Sequence, residues 1–272
     1  LFKMRGEWKV SAKSEPKMFY PLKGKIRGLK SGQEVRFELF AGREGQTLAK
    51  LRGQIVGRAK FSEICQDFLD RNKLKDSFKD SIYAEAEKVS AQEISTTGRK
   101  DYRNWYTLCI DPPGARDHDD AISLNHNDDG TWTLGVHIAD VSHYVAEAGP
   151  MDCEALQRSF TQYLPWQAVS MLPERLSTDK CSLKQGQDRF AFSCIVELSP
   201  RGILKSFEFC KTIVNVDQFL TYEESILLLK EKTPHLLNLS KLTGYLRKRR
   251  EKTGLLRLDF PETRVEFNKL NE

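Results

Sequence analysis

An α+β fold is predicted, with a small OB-like or cold-shock β-barrel at the N-terminus followed by a larger mixed α/β domain. Three observations lead there. Between Tyr20 and Lys60, short alternating runs such as QEVRFELFAG are broken by glycines. After Phe61 the apolar period changes from that of a strand to that of a helix. From residue 105 onward, short strands and helical stretches follow one another in mixed order. The expected organisation is a basic segment with the barrel over 1–60, a helical connector over 61–99 and the α/β domain over 100–272.

The barrel strands are expected in GKIRGLKSG, QEVRFELFAG, REGQTLAKLRG and QIVGRA, with Val35, Phe37 and Leu39 alternating inward. Basic outward positions and Gly-rich turns fit a barrel that meets nucleic acid. The charge distribution agrees. Residues 1–60 hold 15 Lys+Arg against 5 Glu and no Asp, a balance of +10, and the remaining 28 against 33 leave −5. A basic module attracts polyanions, because phosphate contacts release counterions.

Phe61, Ile64, Cys65, Phe68 and Leu69 form an amphipathic stripe, and a second helix is expected over Asp80–Val89. The polar AQEISTTGRKDYRN reads as a linker. WYTLCI, residues 105–110, is a strand running into Asp111. AISL extends again, HNDDG turns, and TWTLGVHIAD is a longer strand in which Val136, Ile138 and Val141 alternate as buried residues would. MDCEALQRSF is helical, FAFSCIVELSPRGILKSFEFCKTIV gives two strands around a Pro-Arg-Gly turn, and helix returns from Tyr222 to about Lys252.

A chain 39% hydrophobic and 30% charged is expected to be soluble and globular. No apolar run approaches the roughly 18 residues a spanning helix needs. Charges in LFKMRGEWKV speak against an export signal, and the absent initiating Met points to a piece of a longer protein. The six cysteines are scattered without a C-x-x-C pair, and most look like small buried residues of a reducing, cytoplasmic protein.

The chemistry gathers in DPPGARDHDD, residues 111–120, where Asp111, Asp117, Asp119 and Asp120 crowd a loop between strands. Their repulsion calls for a cation. Mg²⁺ takes carboxylate oxygens, waters and substrate phosphate oxygens, and two ions about 4 Å apart form a common nuclease arrangement. Mn²⁺ accepts similar oxygens. An EF-hand loop from Asp117 would need an oxygen ligand and then glycine where Ala121 and Ile122 stand. An aspartyl-phosphate enzyme would place D-x-D directly after the strand, whereas Pro-Pro-Gly-Ala-Arg intervenes. A solvated acidic turn is the bland alternative.

The runs IDPPGARDHDDAISL, LGVHIADVSHYV, SFTQYLP, MLPERLSTDKCSL and LRLDFPE occur in order over roughly residues 100–270. Together they resemble the catalytic RNB domain of the ribonuclease II / ribonuclease R family. The stretch Tyr20–Val89 is similar, more loosely, to the cold-shock barrel and helices that precede it. The resemblance implies 3'→5' hydrolysis of single-stranded RNA to nucleoside 5'-monophosphates with Mg²⁺. Asp111, Asp117 and Asp120 would hold metal and its waters, and Asp119 would be the carboxylate whose loss damages cleavage while sparing RNA binding. Tyr163 and Phe260 would clamp terminal bases, which suits any sequence because every base offers a π-face. Tyr222 would touch RNA near the active site.

The family's domain continues beyond LRLDF, so the C-terminal portion of the catalytic domain is expected in another chain or in a longer parent, the alternative being a truncated protein that binds poorly and cleaves little. Other candidates are weighed against packing: His137, Asp140 and His143 as metal ligands, Trp166 on an RNA path, and LRKRREK (246–252) as a phosphate contact rather than a solvated helix face. A second hypothesis is an RNA-binding or regulatory protein on a decayed nuclease scaffold. The intact aspartate quartet favours the enzyme, since carboxylates without metal repel one another.

Overall fold

Strand alternation places successive side chains on opposite faces, and over the first fifty residues it builds a single sheet. The computed structural model describes residues 1–4, 6–12, 15–23, 30–32, 35–42, 46–54, 61–256 and 258. It divides into two compact units after Leu74.

In the first unit, β1 (Phe2–Met4), β2 (Glu7–Ala12), β3 (Glu15–Lys23), β4 (Val35–Ala41) and β5 (Thr47–Gln54) lie in the order β1-β2-β3-β5-β4. The β3–β5 pair is parallel and the others are antiparallel. Val10, Leu22 and Ala49 are buried in its core, with Trp8, Tyr20, Val35 and Phe37 against them. Among the described residues no ladder joins β1 to β4, so the observed element is a five-stranded sheet with those strands at its edges. Most of the expected strands GKIRGLKSG and QIVGRA lies outside the described residues. Helix α1 (Phe61–Arg71) buries Cys65 and Leu69, but Ile64 and Phe68 of the expected stripe stay exposed.

The second unit is built on a mixed seven-stranded sheet. Its strands are β6 (Lys100–Asp101), β7 (Thr107–Asp111), β8 (Asp120–His126), β9 (Trp132–Ala139), β12 (Asp188–Leu198), β13 (Leu204–Asn215) and β14 (Gln218–Thr221), in the order β14-β7-β8-β9-β12-β13-β6. The short pair β10 (Gln162–Tyr163) and β11 (Ala168–Val169) stands apart. One face is covered by α2 (Asp80–Ser90), α3 (Val141–Tyr144), α4 (Pro150–Arg158) and a π-helical turn, Leu176–Lys180. Ile82, Ala86, Met151 and Leu176 from these elements join Ala121, Ala139, Ala191 and Ile213 of the sheet in one core. The opposite face receives α5 (Tyr222–Lys230) and α6 (Pro234–Lys252), with Leu236 against Leu108 and Leu220, and Leu242 against Trp132 and Leu198. Beyond the reach of α6, that face carries exposed Ile138, Phe192, Phe207 and Phe209.

Three expectations need correction. The polar stretch before residue 105 is fixed to the sheet rather than a free linker. There β6 runs parallel to β13, the Tyr102 N–H donates to the Ile213 carbonyl at 2.9 Å, and buried Arg99 pairs with buried Asp140 at 2.6 Å. In β9 the inward face is the opposite one: Gly135, His137 and Ala139 are buried while Ile138 is exposed. The core on that face is tight enough to take small residues and one hydrogen-bonded imidazole. The C-terminal helix is broken in two, since Lys232 adopts φ 61° and Pro234 opens α6. Proline suits a helix's first turn and not its interior, so the chain restarts there.

Candidate active site

Asp111 is carried to its place by β7, which pairs in parallel with β14 so that Thr221 lies opposite it. The chain then turns sharply. The Ala115 N–H donates to the Pro112 carbonyl at 3.2 Å, and Gly114 sits at φ 85°, a left-handed conformation glycine adopts without strain. The return half of the loop is fastened by backbone hydrogen bonds. Ala139 N–H donates to the Asp119 carbonyl at 2.9 Å, and Leu183 N–H to the His118 carbonyl at 2.8 Å. The Ser182 hydroxyl accepts from His118 N–H at 3.1 Å and donates to the Arg116 carbonyl at 2.9 Å. Buried Arg189 in turn grips the carbonyls of Ser182 and Asp179, at 3.0 and 3.2 Å. The MLPERLSTDKCSL run is therefore a brace under the aspartates.

Three of the carboxylates bear on the fourth. Asp119 has its carboxyl pKa raised, first by partial desolvation and then by the charges of Asp117, Asp120 and Asp111. Asp119 is itself exposed. Among the described residues no Lys or Arg forms an ion pair with any of the four; Arg116 points instead toward Glu174 at 3.8 Å. Asp111 receives the His118 ring, with Nδ1 2.8 Å from Oδ2, and the Cys109 thiol, which donates to the same oxygen at 3.1 Å. The His118 ring is steadied by Phe219 of β14, centroids 4.6 Å apart.

Tyr163 stands beside this loop with its ring exposed and its hydroxyl donating to Asp117. That hydrogen bond, with some burial, pushes the phenol pKa up to about 12. Asp111, Asp117, Tyr163, Gln167 and Ser177 border a cleft of about 820 Å³. Tyr222 is exposed and directly follows Thr221, the strand partner of Asp111, so the backbone pairing brings it to the same sheet end. Thr221 caps α5 there in a reciprocal box with Glu224. Phe260 lies outside the described residues. The structure thus gathers the aspartates and Tyr163, and sets Tyr222 at the end of the paired strands.

His137, Asp140 and His143 are tied up in structural contacts. His137 is fully buried between the hydroxyls of Ser123 and Ser193, each 2.8 Å from a ring nitrogen, and burial lowers its pKa to about 4. Asp140 is occupied by Arg99 and Ser142, and His143 packs on Phe190 with centroids 4.2 Å apart. The basic run at the end of α6 is solvent-exposed from Arg247 onward. All six cysteines are free; Cys65, Cys109 and Cys181 are buried and Cys153 is exposed.

The RNB domain model matches residues 99–272, starting at the arginine that anchors Asp140. The chain belongs to the RNB-domain family of exoribonucleases. Ribonuclease R of Chlamydia trachomatis is 32% identical over 206 residues, which is 73% of this chain and 30% of that protein. Exosome complex exonuclease RRP44 of Homo sapiens is 38% identical over 185 residues, covering 66% of this chain and 19% of its own length. This RNB chain therefore spans less than a third of either relative. Mycoplasma genitalium RNase R in complex with double-stranded RNA superposes with a TM-score of 0.74 at 21% identity, over 94% of this chain and 48% of that one. The fold is also shared by yeast Ssd1, described as a pseudonuclease, with a TM-score of 0.58 at 18% identity over 72% of this chain and 26% of that one.

The sequence pattern singles out the aspartates but passes over Cys109, His118, Ser182, Arg189 and Phe219. His118 stands inside DPPGARDHDD, yet its partners are set by tertiary packing. Ser182 is 64 residues from the N–H it binds, a separation no local pattern reveals.

Proposed function

We propose that this chain carries the metal-holding half of a 3'→5' exoribonuclease that hydrolyses single-stranded RNA to nucleoside 5'-monophosphates. One observation carries the reading: the charges of Asp111, Asp117 and Asp120 all reach the Asp119 carboxyl, and among the described residues no Lys or Arg is paired to any of them. Such a quartet of carboxylates fits Mg²⁺, or Mn²⁺. Asp111, Asp117 and Asp120 hold the metal and its waters, and Asp119 faces the reacting phosphate. Bound there, a divalent ion supplies a nucleophilic water and charge neutralisation at the phosphate.

The chain's own residues do the rest. The Ser182 and Arg189 brace fixes the carboxylates before RNA arrives, so little reorganisation remains. Tyr163, its hydroxyl tied to Asp117 and its ring exposed, offers a stacking plane beside the cleft. Phe260 is proposed as its counterpart and Tyr222 as a further RNA contact. The N-terminal sheet, with its basic surplus, is proposed as an OB-like, cold-shock-type RNA module. RNA complexes of the Mycoplasma genitalium relative support RNA as the ligand.

The test is to incubate the intact gene product with end-labelled single-stranded RNA and Mg²⁺, beside an Asp119→Asn variant. Stepwise shortening from the 3' end is expected in the wild type and is lost by at least about a hundredfold in the variant, with RNA binding retained. If both proteins hold RNA and neither shortens it, the chain is an RNA-binding protein on a nuclease scaffold, as the pseudonuclease neighbour exemplifies for the fold.

A further inference from the structure

Three side chains of different chemistry converge at the inner edge of the aspartate loop. Cys109 Sγ, Asp111 Oδ2 and His118 Nδ1 all lie within 4.8 Å of one another. Tetrahedral zinc with sulfur at about 2.3 Å and nitrogen or oxygen at about 2.0–2.2 Å places its ligand atoms about 3.3–3.6 Å apart. The two separations seen here, 2.8 Å between His118 and Asp111 and 3.1 Å between Cys109 and Asp111, are only slightly shorter than those edges. Phe219 holds the imidazole plane, and β7 presents Cys109 and Asp111 on the same face, two residues apart. Asp111 opens on the cleft of about 820 Å³ and His118 on a neighbouring one of about 810 Å³, so an ion has a way in and a fourth position for water.

We propose that Cys109, Asp111 and His118 form a site for Zn²⁺ that shares Asp111 with the hard-metal site and so switches it off. The thiol and imidazole favour a borderline-soft ion over Mg²⁺, which seeks oxygen alone. On binding, the Cys109 S–H bond breaks, an S–Zn bond forms and the proton leaves to buffer; no oxidant is involved. Asp111 then turns its oxygen to zinc, and the aspartate quartet loses one of its four members. The binding claim stands without the nuclease reading, whereas the inhibitory consequence rests on it.

The experiment titrates the full chain, kept reduced with a phosphine, with Zn²⁺ and separately with Co²⁺ as a spectroscopic stand-in. One equivalent of Co²⁺ is expected to give a thiolate-to-metal charge-transfer band. Cys109→Ser abolishes the band and weakens Zn²⁺ binding by about tenfold or more, while Cys65→Ser, at a buried thiol on α1, changes neither. His118→Ala, which leaves the thiol in place, lowers Zn²⁺ affinity by a similar factor and decides the matter should Cys109→Ser fail to fold. A wild type with no band, or a band that survives Cys109→Ser, overturns the proposal. Where the intact gene product shortens RNA, Zn²⁺ is expected to arrest it under Mg²⁺ and Cys109→Ser to relieve the arrest. A protein that degrades RNA but shows no band keeps the nuclease and loses the zinc site; one that shows the band but degrades nothing does the reverse.

Discussion

At the scale of single residues, His137 is the clearest case of a side chain whose chemistry is dictated by burial. Enclosed by Ser123 and Ser193, it remains neutral, and its pKa falls from 6.5 to about 4. Because the folded-state value lies below the unfolded one, its contribution to stability is fully present above pH 6.5 and lost as pH falls toward 4. A fall of that size corresponds to about 3 kcal/mol. Chemical denaturation across that range is expected to show a steeper acid-side fall in the wild type than in His137→Gln; parallel curves would contradict it. Gly135 belongs to the same cluster, since a Cβ there would stand 2.6 Å from His137 Nε2 and closer still to Ser123 Oγ. Gly135→Ala is therefore expected to destabilise by roughly 1–3 kcal/mol, through overpacking against atoms that the hydrogen bonds hold in place, measurable as a lower urea midpoint. The His-x-x-Asp-x-x-His spacing is compatible with metal ligation in sequence, and only the serines flanking the ring, 14 and 56 residues away, show why it is core.

Among the elements, those with strong local pattern were legible: β7 running into Asp111, the β12–β13 hairpin, α2 and α4. Less legible were elements whose existence depends on distant partners. β14 has four residues and is held by parallel pairing to a strand more than a hundred positions earlier. β6 has two residues and gains its place only from β13. In β9 the alternation was visible, but both alternating sets contain apolar residues, so the pattern could not say which faced the tighter core. The brace beneath the aspartate loop is of this non-local kind. Ser182→Ala removes an acceptor from His118 N–H and a donor to Arg116, and is expected to cost about 1–3 kcal/mol. It should also weaken divalent-metal affinity with all four aspartates intact. Calorimetric metal titration alongside thermal melts would show both, and an unchanged affinity would mean that the loop holds its shape alone.

Across the whole molecule, charge and apolar surface are distributed unevenly. The first unit carries the basic surplus, and in its sheet Lys23 and Lys50 are direct cross-strand neighbours, both exposed. Like charges so placed destabilise a sheet slightly unless an anion shares them. If RNA is that anion, Lys23→Glu with Lys50→Glu lowers affinity and flattens the dependence of log K on log salt by about 0.7 for each phosphate no longer neutralised. Filter binding across a salt series reads the slope; an unaltered slope would place the RNA elsewhere. The aspartate loop stood out because acidic crowding is a local signal, whereas Tyr163 came only through the family resemblance of SFTQYLP. The cysteine and histidine beside Asp111 did not stand out, because their meaning arises only when strand and loop close on one another.

The ion pair between Arg99 and Asp140 bears on where the second unit can be cut free. The family's sequence signature opens at residue 99, but the unit's hydrophobic interior extends further back, to Ile82 and Ala86 of α2. A fragment trimmed to residue 100 would keep all four aspartates of the loop and yet take the arginine from the buried Asp140 carboxylate, with a groove where α2 had lain. Excision just after Leu74 leaves both intact. The shortest piece that survives limited proteolysis is therefore expected to begin some two dozen residues before the signature does.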